Sequence, residues 1–97
     1  MIVWEDYRDY GPPTRPQIYM YDLSTGQETR LTQGDFTRRS PRIYGNKIVW
    51  SDLRDSDRED IYMYDLSAGQ ETQVTKDYPR QLKPAIYSNK IAWSRAC

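Results

Sequence analysis

Apolar and polar positions alternate over short stretches that recur along the chain, and no window keeps the 3.6-residue spacing of an amphipathic helix. Residues 17–32 read QIYMYDLSTGQETRLT and residues 60–75 read DIYMYDLSAGQETQVT, differing at four of sixteen positions. Pro41-Arg42-Ile43-Tyr44-Gly45-Asn46-Lys47-Ile48-Val49-Trp50 returns as Pro84-Ala85-Ile86-Tyr87-Ser88-Asn89-Lys90-Ile91-Ala92-Trp93. Both matches share an offset of 43 residues. Ile2-Val3-Trp4 is a third copy of the Ile-Val-Trp element, 46 residues before Ile48-Val49-Trp50. The three extra residues fall in the loop after Trp4, which holds Gly11, Pro12, Pro13 and Pro16.

The complete period divides into four extended segments, about Pro41–Tyr44, Lys47–Ser51, Ile61–Leu66 and Glu71–Thr75. Each is rich in β-branched or aromatic residues and bounded by turn formers, the signature of short strands. Gly45-Asn46, replaced by Ser88-Asn89 one period later, predicts a two-residue hairpin. Ser24-Thr25-Gly26-Gln27 and Ser67-Ala68-Gly69-Gln70 predict type I turns with a glycine in the left-handed position. Asp22 and Asp65, just before those turns, are expected to cap their backbone N–H groups. In Ile61-Tyr62-Met63-Tyr64 both faces carry large side chains, which predicts a sheet packed on both sides.

Four short antiparallel strands per period of 40–50 residues is the arithmetic of a β-propeller blade. With the strands of a blade labelled A to D, the chain reads BCD, ABCD, AB. The expected fold class is therefore all-β: four-stranded antiparallel blades in one propeller segment over 1–97. Repeat 1 spans about 1–40, repeat 2 about 41–83, and a partial third repeat 84–97.

Composition narrows the function classes. Nine Tyr and three Trp sit beside one Phe, and 29% of the chain is charged. Fourteen basic and fourteen acidic side chains give zero net charge, and they are interspersed, whereas nucleic-acid binders gather a basic excess on one face. The absence of His removes the commonest general base and metal ligand. No phosphate-binding glycine loop, G-x-S-x-G, C-x-x-C or H-E-x-x-H motif occurs, so no enzyme, cofactor or metal is expected. The single cysteine, Cys97, has no partner for an internal disulfide. No apolar run reaches the roughly 18 residues of a membrane helix, and no signal peptide is legible at the start.

The string P-x-I-Y-x-N-K-I-x-W-S, then an Asp/Arg-rich loop, then D-I-Y-x-Y-D-L-x-x-G-x-E-T-x-x-T, resembles the repeat of TolB-type β-propellers over essentially the whole chain. Gly45-Asn46 and Ser88-Asn89 stand where many members of that family have Asp-Gly, which is closer to the surface-protein relatives. The resemblance implies a protein-binding or scaffold role, and a periplasmic or cell-surface parent. Propellers of the family usually have six or more blades, and this chain has material for little more than two. Three or four copies forming a ring of six or eight blades is one expectation. A segment of a larger exported propeller protein or peptidase is the other. In a ring, either Ile2–Glu5 or Ile91–Ser94 is surplus.

The up-and-down topology places the A–B and C–D turns at one end of each sheet and the longer, charged B–C and D–A loops at the other. Long loops on a rigid scaffold are where binding concentrates. Arg8, Asp9, Phe36, Arg38, Arg54, Asp55, Tyr78 and Arg80 are the candidate binding residues, facing another protein or, alternatively, a carbohydrate or small ligand. The acidic run Asp52–Asp60 invites a calcium reading, but neighbouring arginines and the missing loop glycine favour Asp–Arg pairing and turn capping. Trp4, Trp50 and Trp93, repeated at one strand position, suit packing between sheets better than a sugar-stacking platform.

Overall fold

The computed structural model describes residues 1–8, 16–32, 36–54, 59–75 and 81–95. The described chain is all-β, with nine strands: β1 (Ile2–Asp6), β2 (Gln17–Asp22), β3 (Gln27–Arg30), β4 (Arg38–Tyr44), β5 (Lys47–Asp52), β6 (Asp60–Asp65), β7 (Gln70–Gln73), β8 (Gln81–Tyr87) and β9 (Lys90–Arg95). They form three sheets, ordered β1-β2-β3, β4-β5-β6-β7 and β8-β9, and every pairing is antiparallel. No helix among the described residues is long and apolar enough to cross a membrane.

Repeated residues take repeated registers. Trp4 faces Tyr19 across β1–β2 as Trp50 faces Tyr62 across β5–β6. Ile43 faces Ile48 as Ile86 faces Ile91. At the C–D turns the N–H of Gly26 donates to the Asp22 carbonyl, and that of Gly69 to the Asp65 carbonyl, both at 2.8 Å. The two glycines have φ of 73° and 65°, a region that opposes a Cβ. Asp22 Oδ1 accepts from the Ser24 N–H at 2.9 Å, and Asp65 Oδ1 from the Ser67 N–H at 3.0 Å, as expected of turn caps.

Strand boundaries of the complete period differ from expectation; β5 runs one residue further, to Asp52, and β7 starts one residue earlier, at Gln70. β4 begins at Arg38 rather than Pro41, because a β-bulge between Arg39 and Arg42 carries the strand past its proline. Pro cannot donate to the ladder, and a bulge asks nothing of its missing N–H. Ser40, at φ 57°, and Lys83, at φ 51°, are the left-handed residues of the bulges in β4 and β8. β7 ends at Gln73 rather than Thr75, because the Ile61 N–H is taken by Thr75 Oγ1 at 2.9 Å instead of by a backbone carbonyl. The same exchange, Ile18 N–H to Thr32 Oγ1 at 3.0 Å, closes the first sheet. β6 runs one residue earlier than expected because Leu66 turns away, its N–H donating to the Asn46 carbonyl at 2.8 Å.

The sheets stack in chain order. Ile18 from the first sheet joins Ile48, Trp50 and Tyr62 from the second in one buried core, with Val3, Met20, Leu31, Ile43, Tyr64 and Leu66 packed around it. Val49 and Ile61 alternate with these residues and so project from the opposite face, where β8 packs against β5 and β6; both are fully buried. The middle sheet is thus covered on both sides, as its sequence predicts. Bonds from backbone N–H groups to side chains of the neighbouring sheet tie the layers together. The Ser40 N–H donates to Glu5 Oε1 at 2.7 Å, and one layer on the Lys83 N–H donates to Ser51 Oγ at 3.3 Å. Glu5 and Ser51 occupy the same repeat position, immediately after the tryptophan.

Candidate functional site

The loops sort into two ends. The Leu53 N–H donates to the Thr37 carbonyl at 2.9 Å and the Arg38 N–H to the Pro16 carbonyl at 3.0 Å, so the β1–β2, β3–β4 and β5–β6 connections converge. At the other end the Leu66–Asn46 bond joins the two short turns of the middle sheet.

At the mouth of the converging loops stand two copies of one cluster. In the second sheet, Asp52 Oδ2 accepts from the Trp50 indole at 2.9 Å, from Arg38 Nε at 3.0 Å and from Arg54 Nη2 at 2.8 Å. Its Oδ1 accepts from the Arg54 N–H at 2.8 Å and from Arg54 Nε at 3.1 Å. The Arg54 guanidinium then lies 3.8 Å from the centre of the Tyr62 ring and pairs with Glu71 at 2.8 Å. In the first sheet Asp6 accepts from Trp4 at 2.8 Å and from Arg8 Nη2 at 2.8 Å. Arg8 covers Tyr19 at 4.2 Å and pairs with Glu28. Each tryptophan stacks on its tyrosine, at 6.3 Å for Trp4–Tyr19 and 6.4 Å for Trp50–Tyr62.

The geometry sets the charge state. Burial pushes the Asp52 carboxyl up, but the bonds from Arg54, Trp50 and Arg38 outweigh it and hold the group below the usual carboxylate range. Asp6 is also held well below that range, first by Arg8. In both, the carboxylate is a structural acceptor whose lone pairs face donors of the same chain. At Asp52 this is the Asp–Arg pairing expected of the acidic run, whose residues 55–58 lie outside the described residues. Asp52 is filled by cation and indole donors, and no group of three or more potential metal-ligating side chains gathers among the described residues.

The candidate binding residues separate. Phe36 is exposed, at 43%, while its carbonyl accepts from Gln17 Nε2 at 2.8 Å and fixes the loop. Arg8 and Arg54 lie at the loop end but are committed to the Asp6 and Asp52 clusters. Arg38 is not presented to solvent: it is 3% exposed and bridges two sheets, from Asp52 to Gln17 Oε1 at 3.0 Å. Its position at the start of β4, extended by the bulge, turns it inward. Asp9, Asp55, Tyr78 and Arg80 lie outside the described residues.

Sequence reasoning missed the cluster as a unit. Trp-x-Asp-x-Arg appears as Trp4-Glu5-Asp6-Tyr7-Arg8 and as Trp50-Ser51-Asp52-Leu53-Arg54. Tyr19/Tyr62 and Glu28/Glu71 recur at the 43-residue offset. Reading the repeated polar positions together with the tryptophans would have found it. A groove of about 620 Å³ between the first two sheets was also unforeseen; Met20, Leu31, Tyr64 and Leu66 line it beside Arg54 and Glu71.

No protein-family model matches this chain, and no curated protein matches its sequence.

Proposed function

We propose that the chain is a non-catalytic interaction or scaffold module of β-propeller type, whose three sheets are blade segments and whose partner surface is the converging-loop end. The observation that carries this reading is the recurrence of one register and one stacking bond in successive sheets. Glu5 receives the Ser40 N–H as Ser51 receives the Lys83 N–H. Sheets that repeat both their internal pairing and their mutual offset generate a ring or a solenoid, and the 43-residue period fits a propeller blade. The ring closes from three or four copies.

Asp–Arg clusters at the base of loops whose sequence varies between the copies are a support for recognition rather than for chemistry. Quantitative affinity purification tests this, comparing the wild-type chain with the Phe36→Ala/Tyr78→Ala/Arg80→Ala variant. Partners retained by the wild type and lost by an equally folded variant support the loop end. Identical capture contradicts it.

A second reading rests on the groove between the first two sheets, whose volume lies within the usual range for small-ligand pockets. It makes the module a carbohydrate or small-ligand binder. Binding on a glycan array that Tyr64→Ala abolishes would favour it, and no binding across the array would count against it.

A further inference from the structure

β1 and β9 are alternative partners for β8. β1 pairs with β2 in the register that β5 keeps with β6: Val3↔Met20 and Trp4↔Tyr19 against Val49↔Met63 and Trp50↔Tyr62. β5 has a second neighbour, β4; among the described residues β1 has none. β8 is the sequence copy of β4. It meets β9 in the register of β4 on β5, including the irregularity, between Leu82 and Ala85 in one and between Arg39 and Arg42 in the other.

Four observations favour β1 over β9. In β1 and β5 the tryptophan indole donates to an aspartate two residues on, at 2.8 and 2.9 Å. Two residues after Trp93 stands Arg95, a side chain with no acceptor to offer. Where β4 sets Arg38 opposite Asp52, the β8–β9 pair sets Gln81 opposite Arg95, and a β8–β1 pair sets Gln81 opposite Asp6. Charge points the same way. Strands β8 and β9 contain Lys83, Lys90 and Arg95 and no acid, whereas β1 contains Glu5 and Asp6 and no base. Finally, Ile2 is 49% exposed, while Ile48, at the same repeat position, is fully buried.

We propose that β9 is a placeholder, and that in the assembled protein β1 of a second copy replaces it beside β8, completing a four-stranded sheet β8-β1-β2-β3 from two chains. This rests on the ring reading above and names its joint. β8 keeps its place on its own β5 and β6, including the Lys83–Ser51 bond. Ile2 and Trp4 of the neighbour arrive where Ile91 and Trp93 lay. The contact is head-to-tail, so it propagates until the rotation closes.

Cysteine pairs in a Cys97→Ser background test the exchange. Ala85 opposes Ala92 in the β8–β9 pair, and by the register of Arg42 on Val49 it opposes Val3 in the exchanged pair. Directly opposed strand residues lie within disulfide reach. After mild oxidation, Val3→Cys/Ala85→Cys gives chains linked to one another, at least tenfold above either single variant, while Ala85→Cys/Ala92→Cys stays unlinked in the multimeric fraction. A multimer in which Ala85→Cys/Ala92→Cys links within the chain overturns the exchange but leaves the ring. A monomer with that same link overturns both. Light scattering on the same fractions separates the two cases. Arg95→Asp, which gives Trp93 an acceptor, shifts the population toward monomer; an unchanged mass distribution would contradict the proposal.

Discussion

The Trp50 indole donates to Asp52 at 2.9 Å while the strand that carries both continues into a loop pinned by Arg54. One carboxylate thereby satisfies a buried aromatic, fixes the first residues of a loop and receives Arg38 from the neighbouring strand. The first sheet has the same relationship at Trp4 and Asp6, and among the described residues no second arginine reaches Asp6.

The two aspartates should therefore differ in weight. The Asp52 side chain is fully buried and the Arg38 side chain beside it nearly so, whereas the side chains of Asp6 and Arg8 are 13% and 45% exposed. Asp52→Ala leaves the Arg38 charge buried and unpaired, a loss of about 3–5 kcal/mol. Asp6→Ala breaks a solvent-screened pair and costs about 1 kcal/mol. Urea denaturation midpoints at constant slope measure both, and equal losses would contradict the distinction.

The pH dependence has a definite sign. Asp6, Asp22, Asp52 and Asp65 all titrate below their ordinary value of 3.8 in the folded chain. Below that value the unfolded state binds protons that the folded state refuses. The stability these groups supply is complete above about pH 5 and falls as pH drops through the folded values. Denaturation midpoints from pH 7 to pH 2 should show the decline beginning near pH 4, shallower in Asp52→Asn. An unchanged acid limb in that variant would contradict the assignment.

Thr75 stands in for a ladder carbonyl beneath the buried Ile61 N–H. Thr75→Val keeps the shape and removes the acceptor, so it should cost about 1–3 kcal/mol. Thr75→Ser should recover most of that loss. Equal behaviour of Val and Ser in thermal unfolding would mean the hydroxyl does not matter.

Left-handed positions predict opposite signs at two turns. Gly69, at φ 65°, gains a steric penalty of about 1–2 kcal/mol as Gly69→Ala. Ser88, at φ 56°, occupies the position that Gly45 holds one period earlier. Ser88→Gly removes strain and should stabilise by about 0.5 kcal/mol after the loss of chain entropy. Denaturation of both variants checks the signs.

The strands, hairpin turns and Asp22 and Asp65 caps were legible because each depends on a few adjacent residues and is written twice in the chain. What was not legible depended on geometry across sheets. Arg38 reads as a surface charge until the bulge at Ser40 is known to extend β4 and turn that residue onto Asp52. Arg8 and Arg54 read as loop charges because their partners, Glu28 and Glu71, lie one strand further away. The groove lined by Met20 and Tyr64 arises from the offset between two stacked sheets, which no single period encodes.

The native mass in solution, by light scattering coupled to size-exclusion chromatography, tests the ring of several copies most directly. A single species near three or four times the 11.6 kDa chain is the predicted result, since rings of this fold close with about four to eight blades. A monomer at 11.6 kDa, or a polydisperse series with no closed member, would contradict it.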